Sequence, residues 1–307
     1  MKTTKIPVYL INGFLGSGKT TALIKCIEYF KKKNKKPAII LNELGNTNLE
    51  KHLFKDESLY ELLNGCICCS IQDDLRKVLD EMVVLANEDK IDVLLVEGTG
   101  VANPSEIHFV FKTGSFKDRF SIEQSICVVD GSNIQSYLSI FSSSKEVREL
   151  QREQLESATM ITINKADLLR HEQIEKIKKI IGKMNGSAVI ITTSYADGLT
   201  DMLEEIMTVS IPFLEETNRK KHHDIKAVKL NKLENISRKK IHNMLKQLDS
   251  RLLRAKGIIR DQNDQSWYHF QYSPGRLEWE KLEGDVNVNE GQIILIGTNI
   301  HRQDILL

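Results

Sequence analysis

The sequence predicts an α/β protein: a parallel sheet with helices on both faces, followed by a smaller α+β domain. Three observations carry that prediction. Over the first two thirds of the 307 residues, short runs rich in Val and Ile alternate with longer amphipathic segments, the pattern of right-handed βαβ units. Those apolar runs are nearly continuous, as in strands covered on both faces. After about residue 214 the texture changes at a polar run, 215–224, beyond which short strand-like segments surround a single helical one.

Taken in order, strands are expected at residues 7–11, 38–42, 93–97, 125–130, 160–164 and 189–193. Helices are expected at 20–32, 57–63, 72–86, 144–157 and 171–184, where apolar residues recur at helical spacing. The domain boundaries follow: 1–214 for the α/β domain, 215–224 for a linker and 225–307 for the α+β domain. In the last of these, a strand at 227–231, a helix at 237–248 and strands at 252–260, 267–273, 276–282 and 293–297 suggest one helix against a small antiparallel sheet. No internal repeat is visible.

Composition excludes several classes. A formal net charge of +1 gives no global attraction to nucleic acid or anionic lipid. No apolar stretch approaches the roughly 20 residues that cross a bilayer, and the N-terminus has no secretory pattern. A soluble, cytoplasmic protein without nucleic-acid or membrane partners is therefore expected. The five cysteines are odd in number, and three fall within residues 66–69. In a reducing compartment this favours metal or thiol chemistry over a disulfide framework.

The residues Gly13-Phe14-Leu15-Gly16-Ser17-Gly18-Lys19-Thr20 follow an expected strand and open an expected helix. Glycines at that spacing let backbone N–H groups turn toward phosphate oxygens at the positive end of the helix. Lys19 is expected to reach the β- and γ-phosphates, Thr20 to ligate Mg²⁺ and the adjoining Thr21 to contact the nucleotide. The sheet is thus read as that of a P-loop NTPase. At the end of the strand 93–97, Glu97 stands where a carboxylate supports Mg²⁺, and the N–H of Gly100 is placed to sense a γ-phosphate. Asn164-Lys165-Ala166-Asp167 ends another strand. Its carboxylate can accept from guanine N1–H and the 2-amino group, donors that adenine lacks, and an unpaired buried partner costs a few kcal/mol. GTP is the expected nucleotide, with Lys165 along the base and ribose and the segment 192–194, ending in Ser194, near guanine O6.

Cys66, Cys68 and Cys69 lie between the expected helices 57–63 and 72–86. Thiolates this close suit Zn²⁺ or a similar thiophilic ion, which in turn keeps them deprotonated. Three ligands leave a fourth position for water, an exchangeable side chain or a partner. A structural zinc site completed elsewhere, a redox switch and small buried residues are the competing readings. Cys26 and Cys127 read as core residues, and His222 and His223 as a solvated surface pair.

Together the phosphate loop, Asn42-Glu43-Leu44-Gly45, Gly65-Cys66-Ile67-Cys68-Cys69, Glu97-Gly98-Thr99-Gly100 and Asn164-Lys165-Ala166-Asp167 resemble the CobW-like GTPases. The resemblance extends through Lys256-Gly257-Ile258-Ile259 and Ile294-Leu295-Ile296-Gly297 to that family's small C-terminal domain. It implies GTP hydrolysis coupled to delivery of zinc, cobalt or another transition metal to a client metalloprotein or cofactor-insertion pathway. Carried over by position, Cys66, Cys68 and Cys69 hold the metal, and Glu43 either joins them or positions Mg²⁺ or the hydrolytic water. Glu50 is the counterpart of an Asp in relatives. No arginine is placed as a finger, so slow turnover accelerated by metal, a partner or a homodimer is expected. A regulatory GTPase with structural zinc and a small-molecule P-loop kinase are the alternatives.

Overall fold

The computed structural model describes residues 5–41, 58–61, 71–101, 104–206, 225–233, 236–248, 251–273, 276–282, 290–298 and 300–305. They fall into two compact units, one before residue 207 and one from residue 225 onward. The expected linker, 215–224, lies outside the described residues.

The first unit is built on β1 (Ile6–Asn12), β2 (Pro37–Leu41), β3 (Ser58–Glu61), β4 (Val93–Glu97), β5 (Phe120–Asp130), β6 (Met160–Asn164) and β7 (Val189–Thr192). These seven described strands run parallel in the order β3-β2-β4-β1-β5-β6-β7. The chain adds strands on one side of β1 and then crosses to the other after β4. In such sheets ligands bind outside the carboxyl ends of the strands, where the order reverses.

Helix α1 (Lys19–Lys32) shows why the sequence folds this way locally. Ala22, Leu23, Cys26, Ile27 and Phe30 recur at helical spacing and are buried. Lys31 and Lys32 occupy the last turn, where cations suit the helix dipole. The buried stripe packs on Tyr9, Ile11, Ile39, Leu95 and Val128, together with Leu199 and Leu203 of α7 (Leu199–Ile206). On the opposite face, α2 (Ile71–Asn87) and α3 (Pro104–Lys112) bury Leu75, Leu79, Met82, Ile107, Val110 and Phe111 against Val8, Leu10 and Leu94. Helices α4 (Ile134–Leu138), α5 (Lys145–Glu156) and α6 (His171–Met184) cover Cys127, Val129, Ile161 and Ile163.

Two expectations need correction. The expected helix at 57–63 is instead the edge strand β3, in which Ser58, Leu59, Tyr60 and Glu61 lie opposite Ala38, Ile39, Ile40 and Leu41. Its Leu and Glu content favours a helix locally, but pairing along the open edge of β2 overrides that weak preference. Strand β5 begins at Phe120 rather than 125, because its polar start still pairs with β1, Ile6 lying opposite Phe120.

A buried histidine lies under the sheet. His108 Nε2 is 3.2 Å from Ser125 Oγ, and burial, with a smaller push from Lys112, lowers its pKa from 6.5 to about 4. The folded chain therefore keeps the ring neutral, while the unfolded chain takes up the proton first as pH falls. Stability is lost on acidification between pH 6.5 and about 4, by about 3 kcal/mol at most. Urea titrations across that window should show a shallower loss in His108→Gln than in the parent; equal slopes would refute the assignment.

The second unit holds β8 (Ile225–Leu233), α8 (Arg238–Leu248), β9 (Leu252–Arg260), β10 (Trp267–Ser273), β11 (Arg276–Lys281) and β12 (Gly291–Thr298). The described strands form an antiparallel sheet in the order β11-β10-β9-β12-β8. Ile241, Met244, Leu245 and Leu248 of α8 pack on Ala255, Ile259, Phe270, Ile293 and Leu295. At Gly257 a Cβ would fall 2.5 Å from the Phe270 ring and 2.9 Å from Gln292 O, so the sheet admits only glycine there.

Candidate nucleotide site

The motif residues converge at the carboxyl ends of β1, β4, β5, β6 and β7. The phosphate loop leaves β1 at Asn12 and enters α1 at Lys19. Its tightness has two visible causes. A Cβ on Gly13, at φ +142°, would lie 2.2 Å from Val128 O, and one on Gly18, at φ +103°, would lie 2.4 Å from Asn164 Nδ2. The loop is thus pressed between the end of β5 and the base motif, with Gly16 exposed at its crest. Lys19 is 7 % exposed, and its Nζ donates to Phe14 O at 3.2 Å, which folds the ammonium back into the loop. Thr21 is half-buried one residue further along α1.

Thr20 Oγ1 donates to Glu97 Oε1 at 3.2 Å, joining residues 77 apart in sequence. A hydroxyl and a carboxylate brought together beside a phosphate loop form an oxygen-donor pair suited to Mg²⁺. The Ser17 Oγ and Asn12 Nδ2 atoms are buried without a hydrogen-bond partner among the described residues. Orphaned polar atoms at the loop fit a site shaped for a polar ligand. Gly100 lies flush against the loop, since a Cβ there would come within 2.8 Å of Leu15 N. Its carbonyl accepts from Gln154 Nε2 of α5 at 3.4 Å.

At the base end, Asn164 is the hub. Its Nδ2 donates to Ser17 O at 2.9 Å, while its Oδ1 accepts from Ala196 N at 3.1 Å and Thr193 Oγ1 at 3.3 Å. Asp167 N donates to Ser194 Oγ at 3.1 Å, and the Asp167 carboxylate is exposed. Ser194 therefore braces the loop that carries Asp167. Lys165 has φ +61°, a conformation uncommon outside glycine, and its Nζ donates to Asp130 Oδ2 at 2.6 Å.

Sequence reasoning missed Asp130, Tyr137 and Gln154. The Tyr137 ring packs on Phe14 of the phosphate loop, with centroids 4.7 Å apart. None of the three sits at a motif spacing, and each meets its partner only through the fold. Cys26 and Cys127 are core residues as expected; burial raises both thiols to about 12, so neither is reactive at neutral pH. Glu43, Glu50, Cys66, Cys68, Cys69, His222 and His223 lie outside the described residues. Among the described residues no three His, Cys, Asp or Glu side chains gather as a metal site, and no helix is long and apolar enough to cross a membrane. His301 is exposed in the second unit.

Both units resemble families of known proteins. Residues 7–192 match the CobW/HypB/UreG nucleotide-binding domain, and residues 225–306 match the cobalamin synthesis protein cobW C-terminal domain. The zinc-regulated GTPase metalloprotein activator 1 of Schizosaccharomyces pombe is 31 % identical over 222 residues, covering 69 % of this chain and 51 % of the relative. The zinc chaperone CobW of Pseudomonas aeruginosa is 28 % identical over 224 residues, covering 63 % and 58 %. The chain thus spans about half the length of the curated relatives it matches. The crystal structure of the Zn(II)-bound YjiA GTPase from E. coli aligns over 98 % of this chain and 97 % of its own, at 20 % identity and a TM-score of 0.49.

Proposed function

Because the chain belongs to the CobW/HypB/UreG family, we propose that it is a GTP-hydrolysing metallochaperone. It binds zinc, or cobalt as the alternative cargo, at Cys66, Cys68 and Cys69 and passes it to a client metalloprotein, release being tied to hydrolysis. The observation that supports the guanine-nucleotide part of this reading is the convergence of two clusters at the carboxyl ends of the strands. The Thr20–Glu97 pair serves the phosphates, and the Asn164, Asp167 and Ser194 network serves the base.

In this reading the backbone from Gly13 to Gly18 and the Lys19 ammonium hold the phosphate chain. Thr20 and Glu97 would hold Mg²⁺, which would supply positive charge to the terminal phosphates. Asp167 selects guanine. Gly100, pressed against Leu15 and tied to α5 through Gln154, reads the γ-phosphate through its N–H. Glu43 orients the water or joins the cysteines. Hydrolysis of GTP to GDP and phosphate withdraws the γ-phosphate contacts, and the segments that respond to it change the affinity of the thiolate site.

Replacing Cys66, Cys68 and Cys69 by Ser tests the cargo site. Zinc affinity, read by competition with a chromogenic chelator, should fall by at least a hundredfold, because an alcohol does not ionise to a ligand at neutral pH. GTP affinity should stay within about threefold of the parent. Unchanged zinc affinity in the triple variant would remove these cysteines from the site.

A further inference from the structure

We propose that Asp130 is a positioning residue for the base end of the nucleotide site, holding Lys165 in the orientation that receives guanine. The inference rests on the guanine-nucleotide reading above. Asp130 ends β5 directly opposite Asn164 of β6, and the next residue, Gly131, donates its N–H to Asn164 O at 3.0 Å. The contact is close enough that a Cβ on Gly131 would fall 2.9 Å from that oxygen and 2.7 Å from Leu169 Cδ1. The chain leaving β5 is thus laid flush along the base motif.

The Asp130 side chain is 4 % exposed and that of Lys165 34 % exposed. The carboxylate is fixed from several directions. Its Oδ1 accepts from Ser132 N at 3.0 Å and from Ser132 Oγ, and its Oδ2 accepts from Asn133 Nδ2 at 3.1 Å and from Lys165 Nζ at 2.6 Å. Burial by itself raises the carboxyl pKa, but the bonds from Lys165, Ser132 and Asn133 outweigh it and hold it below the usual range. The group is an anion at neutral pH, anchored before any ligand arrives.

That anchor answers a specific need. Lys165 adopts a left-handed backbone conformation, which persists only where surrounding structure imposes it. A lysine stem has many rotamers, and ordering it on binding weakens affinity. With its ammonium engaged by Asp130, the stem is ordered in the free protein and offers its methylenes to the face of the base held by Asp167. Asp130 touches no substrate in this scheme and acts through Lys165 alone.

The test uses fluorescent mant-GDP and mant-GTP on the full chain. Asp130→Asn should raise both dissociation constants by the same factor, about tenfold, and the loss in hydrolysis should fall on KM. Lys165→Met, which keeps most of the stem and removes only the group that Asp130 holds, should weaken binding similarly. In the Lys165→Met background Asp130→Asn should add nothing. Native binding by Lys165→Met, or an undiminished effect of Asp130→Asn in that background, overturns the proposal. Should Asp130→Asn fail to fold, Asp130→Ser in the parent and in the Lys165→Met background gives the same comparison. Failure of the parent chain to bind either nucleotide refutes the guanine reading itself, a result distinct from all of these.

Discussion

Lys19→Ala is expected to reduce GTP hydrolysis at subsaturating substrate by about 10²–10³-fold, the scale on which one preorganised donor to developing phosphate charge acts in a dry site. The geometry gives the reason. Lys19 is 7 % exposed and already turned into the loop toward Phe14 O, so in the proposed site its charge is concentrated at the phosphates and weakly screened by water. Alanine at the start of α1 keeps the helix intact, since it is the best helix former. Single-turnover hydrolysis with labelled GTP, beside a melting curve to show the fold intact, measures the effect. A loss smaller than about tenfold would mean that the phosphates sit elsewhere.

Asp167→Asn is the second large effect. GTP affinity should fall by about a hundredfold or more, because guanine N1–H and the 2-amino group lose their paired acceptor. Xanthine carries a carbonyl at that ring position, and an amide side chain offers it an N–H. The variant should therefore gain affinity for XTP as it loses GTP. The swap is confined to the side chain, because the loop is held through the backbone by the bond from Asp167 N to Ser194 Oγ. Competition of GTP, XTP and ATP against one fluorescent nucleotide reads it; equal losses for all three would show a general disruption of the site.

The parts of this site that were legible in the sequence are those carried by contiguous residues. The loop from Gly13 to Thr20 announces itself, because its glycines must stand at fixed spacing to let the backbone pass close to Val128 O and Asn164 Nδ2. Asn164, Lys165 and Asp167 were equally readable, as was Glu97 at the end of β4. Backbone contacts to guanine O6 were expected from the segment 192–194; the bond that the Ser194 hydroxyl accepts from Asp167 N was not anticipated. Asp130 was not readable: it lies 35 residues from Lys165, and an acidic residue ending a strand has no spacing that marks it. Tyr137 and Gln154 escaped for the same reason. The misread segment at 57–63 has a different cause, since its local pattern favours a helix and only the neighbouring edge of β2 makes it a strand.

The Asp130 anchor and the Tyr137–Phe14 contact both arise from the stretch after β5, one at the base end and one at the phosphate loop. That stretch therefore touches both the base motif and the phosphate loop. Glu43 and the three cysteines fall between β2 and β4 in sequence and outside the described residues, and the proposed function requires that cargo and nucleotide be linked there. Where zinc and nucleotide are linked in this way, by thermodynamic necessity each ligand must change the affinity for the other by the same factor.

Equilibrium zinc titration of the full chain with a GTP analogue that resists hydrolysis, with GDP and with no nucleotide tests that linkage most directly. Zinc should be held more tightly with the GTP analogue than with GDP, by about 5–150-fold, with a matching gain in affinity for the analogue when zinc is bound. Equal zinc affinities in all three states would contradict it.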